Sequence, residues 1–134
     1  MKTTELMIGD WVFNKHHNKN IQLTPYDFFT HTHNEFGEQE LAPFAKPTFG
    51  MDLEPIALKR IHLTKNGFKA TNAEDTEFVY RDGYEIKVMI DEYISDSMFL
   101  SIEFADKNIW MPIEYVHELQ QAMRIMGCDK EIKL

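Results

Sequence analysis

Residues 116–123, VHELQQAM, carry His117 and Glu118 with Gln121 where a second histidine would complete H-E-x-x-H. In that motif two histidines four residues apart hold zinc on one helix face, and the glutamate serves as general base. At about 100° per residue, His117 and Gln121 share a face opposite the Val116, Leu119, Met123 stripe, so the spacing suits two ligands. The chemistry does not follow, because a glutamine amide is a neutral, weak zinc ligand and a third ligand would have to come from elsewhere. The segment reads as a helix whose imidazole faces solvent or a hydrogen-bond partner and holds no ion.

His31 and His33 form a second candidate. Extended chain through 30–34 would put both imidazoles on one side, and His16 and His17 lie in an earlier turn that could approach them. Four histidines this close in sequence could bind a transition metal, but no carboxylate or cysteine completes a recognisable ligand spacing. The sequence therefore assigns no metal ligand, no cofactor and no catalytic residue, with His31 and His33 as the weakest form of a metal site. Cys128 follows a helix stop, where the negative end of the helix raises a thiol pKa. Ser95, Ser97 and Ser101 lie outside any G-x-S-x-G elbow, and no phosphate-binding glycine loop is present. Trp11 and Trp110 each stand beside an apolar neighbour at an element boundary and are expected in the core.

Composition narrows the partners. Fourteen basic against twenty-two acidic residues give a formal net charge of −8, which argues against nucleic acid bound through its phosphates and against an anionic membrane surface. Such a surface could meet a basic partner, and it also keeps the chain soluble. The single cysteine allows no internal disulfide. No apolar run approaches the roughly 18 residues that span a bilayer, and the N-terminal MKTTELMIGDWV lacks the apolar core of a signal peptide, so the expected compartment is the cytoplasm.

These residues need elements to position them. At 134 residues, 43% hydrophobic, the chain suits one domain spanning 1–134. LMIGDWVF, the polar NKHHNKN and IQL predict a hairpin across 10–24. Thr24, Pro25 and Asp27 predict a capped helical turn. The stretch 31–55, with three prolines and two glycines, shows no sustained period and is expected to be irregular, partly packed by Phe36, Phe44 and Phe49. IALKRIHLTKNGF (56–68) reads as a short helix stopped at Asn66-Gly67. From residue 76 the period becomes 2. TEFVYR, an Asp82-Gly83 turn and YEIKVMID predict a hairpin with Ile86, Val88 and Ile90 inward, followed by strands at 98–104 and 109–111. A helix over 111–127 is predicted from Pro112 at its start, Gly127 at its stop and the apolar stripe between.

Three phrases together resemble a known group: ELMIGDWV (5–12), EPIALKRIHLTKNGF (54–68) and MPIEYVHELQQAMRIMG (111–127). They are similar to E-L-R-I-G-N-W-V, E-P-I-P-L-T-E-E-x-L-x-K-x-G-F and P-I-x-Y-V-H-Q-L-Q-N-L-Y-F-A-L-T-G. Those phrases mark a family of small uncharacterised proteins abundant in Bacteroidetes genomes and their prophages or mobile elements. The match covers about forty residues in order, including Gly9, Trp11, Pro55, Gly67, Phe68, Tyr115, Val116, His117, Leu119 and Gln120. Lys59 stands where the family has a capping threonine, Glu118 replaces a glutamine, and 31–53 is an insertion. The resemblance implies a phage-linked, cytoplasmic context without an activity. It also implies that Tyr115, His117, Gln120 and Gln121 form a recognition surface if they are not core.

The expectation is an α+β fold: an N-terminal β-hairpin or small barrel-like unit, a short middle helix, and an antiparallel meander with the C-terminal helix packed on it. The leading function is a non-enzymatic interaction protein of phage or mobile-element origin, with a protein partner. The alternative is a small metal-dependent binder or enzyme using His31, His33 or His117. An acidic mimic of nucleic acid is a third, poorly supported because the carboxylates are scattered.

Overall fold

A computed structural model describes residues 6–27, 29–33, 35–43, 53–81, 85–93, 97–104 and 107–134, with 26, 29–33, 39–43, 102–104 and 107–109 described by their backbone only. The chain falls into two compact units, Met1–Ile56 and Ala57–Leu134.

The N-terminal unit is built on the predicted hairpin. Strand β1 (Trp11–Asn14) pairs antiparallel with β2 (Lys19–Gln22), Val12 opposite Ile21. The turn between them needs a left-handed residue, supplied by Asn18 at φ 50°, and the Asn14 side chain accepts the His17 N–H at 3.1 Å. Before β1 the buried Asp10 accepts the Met7 N–H at 2.8 Å, which closes the Ile8-Gly9 corner. The Thr24 N–H and hydroxyl both donate to Asp27 Oδ2, at 2.6 and 2.9 Å, and cap a 3-10 turn at Pro25–Asp27.

The stretch expected to be irregular is partly regular. β3 (Phe29–His33) and β4 (Gln39–Pro43) form a hairpin, and β5 (Leu53–Pro55) pairs with the other side of β1. Its turn holds Gly37 at φ 76°, and Phe36 is 79% exposed there instead of packed. Period 2 was hidden in the sequence because β3 alternates threonine with histidine and β4 reads QELAP, so neither alternates apolar with polar. Phe44 and Phe49 lie outside the described residues. Leu6, Val12, Leu23 and Leu53 form this unit's core, with Ile21 packed against it.

The C-terminal unit holds an antiparallel sheet ordered β10-β9-β8-β7-β6 and two helices, the α+β arrangement expected. Its strands are β6 (Lys69–Ala70), β7 (Glu77–Arg81), β8 (Glu85–Asp91), β9 (Ser97–Phe104) and β10 (Lys107–Ile113). The Asp82-Gly83 turn lies outside the described residues. Alternation along β8 works as predicted: Ile86, Val88 and Ile90 are buried, and register places Phe78, Leu100 and Met98 beside them on one face. Helix α2 (Val116–Ile125) packs its Val116, Leu119, Ala122 and Met123 stripe on the sheet.

Two helix boundaries differ from expectation or explain it. Pro112 does not start α2; it sits in β10, the edge strand, where its missing N–H need not break a ladder. Gly127 ends α2 as predicted, at φ 81°, and the Cys128 N–H returns to the Met123 carbonyl at 2.9 Å. Helix α1 (Arg60–Lys65) starts without a capping hydroxyl, because Lys59 holds the N-cap position. His62 supplies the reciprocal half instead, its Nδ1 accepting the Lys59 N–H at 3.0 Å. Beyond α2, the segment 128–134 is held along α1. The Asn66 amide donates to the His62 and Lys133 carbonyls, both at 2.7 Å, and its Oδ1 accepts the Lys133 N–H at 2.6 Å.

Candidate binding cleft

Of the pair that suggests a zinc helix, the glutamate is consumed by structure, whereas the histidine is buried with its Nδ1 unpartnered among the described residues. Glu118 Oε1 accepts the backbone N–H groups of Glu114 at 3.1 Å and Tyr115 at 3.0 Å, so the carboxylate caps α2. His117 does not face solvent. It is 5% exposed, and its ring stacks on Tyr115 with centroids 5.7 Å apart and planes within 7°. Tyr115 belongs to the segment entering α2, and the inward turn of that segment, bridged to Ala57, carries the imidazole with it. The 100° rule placed His117 on the polar face but ignored this neighbour. Gln120 is buried as well, whereas Tyr115 and Gln121 are half-buried. Of the four residues expected to form a recognition surface, two therefore offer little surface to a partner. The adjacent Glu114 carboxylate, more than burial, pushes the Tyr115 phenol above its usual range.

The other histidines do not assemble a site within the described residues. His16 and His17 meet edge to face at 4.9 Å in the exposed β1–β2 turn. His31 and His33 sit in β3, two residues apart, opposite Leu41 and Gln39; their side chains lie outside the described structure. Among the described residues no three His, Cys, Asp or Glu side chains gather as a metal would require. Cys128 is buried behind the end of α2. Among the described residues no helix is long and apolar enough to cross a membrane.

A cleft opens elsewhere, on the sheet face opposite Ile86, Val88 and Ile90. Period 2 turns Met89 of β8 to that face, and register sets Phe99 of β9 directly opposite it. Trp110 of β10 pairs with Ser101, one step along from Phe99, so the indole lies diagonal to the Phe99 ring on the same face. Tyr93 follows in the turn after β8, where its N–H donates to Asp91 Oδ1 at 2.9 Å and fixes the corner. Together with Thr76, Ile90, Asp91 and Glu92, these residues line a cavity of about 520 Å³. That volume falls within the range of small-ligand pockets.

The cleft is apolar at its floor and acidic at its rim. Met89 is 38% exposed, Trp110 44%, and Tyr93 stands fully in solvent. Trp110 is thus not a core residue: among the described residues β10 is an edge strand, with no strand beyond it for the indole to pack against. The same face closes further along, at Val79 and Ser101. No lysine, arginine or histidine is among the described lining residues. Arg60 Nη2 reaches Glu92 Oε1 at 3.5 Å, a pairing exposed on both sides. Lys87, on the same face, is engaged by Glu85 at 3.3 Å, and that hydrogen bond chiefly holds the Glu85 carboxyl below its usual range.

Met89, Phe99 and Tyr93 were not legible as a site. The available signal was an apolar Met89 sharing the outward face of β8 with Glu85 and Lys87, where a purely solvated face would carry polar residues. Comparisons with models of protein families, with curated proteins and with solved structures return no match for this chain.

Proposed function

We propose that this is a non-enzymatic interaction protein, of phage or mobile-element origin, whose C-terminal unit docks a basic protein partner at the cleft. The observation that carries the docking is the cluster of exposed Met89 and Trp110 with half-buried Phe99 around a cavity also lined by Asp91 and Glu92. A soluble surface rarely keeps such rings in water without a partner to cover them. Aromatic anchors of this kind dominate binding energy in protein interfaces. Charge favours a basic occupant over a second copy. Two chains of −8 each would repel, and a symmetric contact would set one acidic rim against another. The origin rests on the three phrases alone.

The test is a partner retained from host lysate, purified and titrated by calorimetry against wild-type protein and Trp110→Ala. The expected loss is about 2 kcal/mol, roughly 30-fold in affinity, with an unchanged melting temperature. Equal affinity for wild type and a Met89→Ala/Trp110→Ala double variant would reject the site.

A further inference from the structure

We infer that the cleft selects a cationic side chain, an arginine on the partner's docking segment, seated against Trp110, Tyr93 and Phe99 with Asp91 and Glu92 balancing its charge. The inference rests on the docking reading above and adds the chemistry of the occupant.

Three observations carry it. First, the described lining residues combine three aromatic rings with two carboxylates and include no basic side chain, Arg60 meeting Glu92 from outside the lining. A ring face attracts a cation through its quadrupole, indole most strongly, and a nearby carboxylate completes the neutralisation. Second, a wholly apolar occupant would strip water from Asp91 and Glu92 and offer them no hydrogen bond, a cost that a guanidinium avoids. Third, the rim already accepts this group. Arg60 of the same unit reaches Glu92 with its guanidinium, and away from the cleft the unit makes a cation–ring contact, Lys130 Nζ lying 5.4 Å from the Tyr80 ring centre. Between the two basic side chains, arginine fits better, since its planar, weakly hydrated head stacks on a ring while donating sideways to a carboxylate.

The probes are a capped pentapeptide with arginine between two leucines and the same peptide with neutral citrulline in place of arginine. The readout is the Trp110 indole N–H resonance, assigned with Trp110→Phe, in titrations of the full chain. The arginine peptide should shift the resonance saturably and bind at least about tenfold more tightly than the citrulline peptide. The variant Asp91→Asn/Glu92→Gln should largely erase that preference without altering the melting temperature. Saturable binding of both peptides with equal affinity would overturn the cation preference and leave the docking reading standing. So would a preference that survives in the double variant. Neither peptide shifting the resonance would overturn both.

Discussion

The two faces of the C-terminal sheet are made by the same strands and behave oppositely. One face buries Ile86, Val88, Leu100 and Phe78 beneath α2. The other carries Met89 and Trp110 into solvent beside half-buried Phe99 at a cleft. Both are apolar in part, so hydrophobicity alone does not tell core from site. What separates them is cover: the fold supplies a helix to one face, and part of the other is left for something outside the unit.

The sharpest way to break that comparison is to truncate one side chain on each face. Leu119→Ala, on the covered side at 1% exposure, should lower unfolding free energy in denaturant melts by about 3–4 kcal/mol, through lost transfer energy and a residual cavity. A loss below about 1 kcal/mol would mean that α2 does not seal that face. Asn66→Ala should cost about 2–3 kcal/mol, because its side chain makes three hydrogen bonds, two of which tie the end of α1 to Lys133. Amide exchange at Lys133 should rise with it. Glu118→Ala should cost about 1 kcal/mol by uncapping α2. Unchanged stability would return that carboxylate to the list of groups available for chemistry. Trp110→Ala should move stability by no more than about 0.5 kcal/mol while weakening partner binding, and a large loss would place the indole in the core after all.

The smallest effect is one of pH. Burial, then Lys59 and Lys65, lower the His62 pKa from its ordinary 6.5. The folded state thus prefers the neutral ring, whose Nδ1 caps α1. The stability this contributes is complete above pH 6.5 and is lost as pH falls from there through the lowered folded value. Amide exchange at Lys59 should quicken on acidification, and His62→Ala should remove the dependence. The same pH profile in wild type and variant would show that the ring does not cap.

Much of the frame was legible because it depends on neighbours in sequence. The β1–β2 hairpin follows from a polar turn between apolar runs, the Pro25–Asp27 turn from Thr24 and Asp27, the ends of both helices from Gly67 and Gly127, and the inward face of β8 from strict alternation. The reading failed where a distant strand or segment decides. Pro112 looks like a helix start until β9 pairs beside it, and β3 and β4 lack any apolar alternation that would announce them.

The candidate site shows the same division. Sequence order could say that Glu118 and His117 lie side by side; it could not say that one caps the helix while the other stacks beneath Tyr115. Nor could it set Met89 against Phe99 and Trp110, residues ten or more positions apart on three strands. Local periodicity and capping chemistry belong to the chain itself, because each is settled within a few bonds. Register, edge position and burial arise only when strands pair, and these placed the rings and carboxylates of the cleft together.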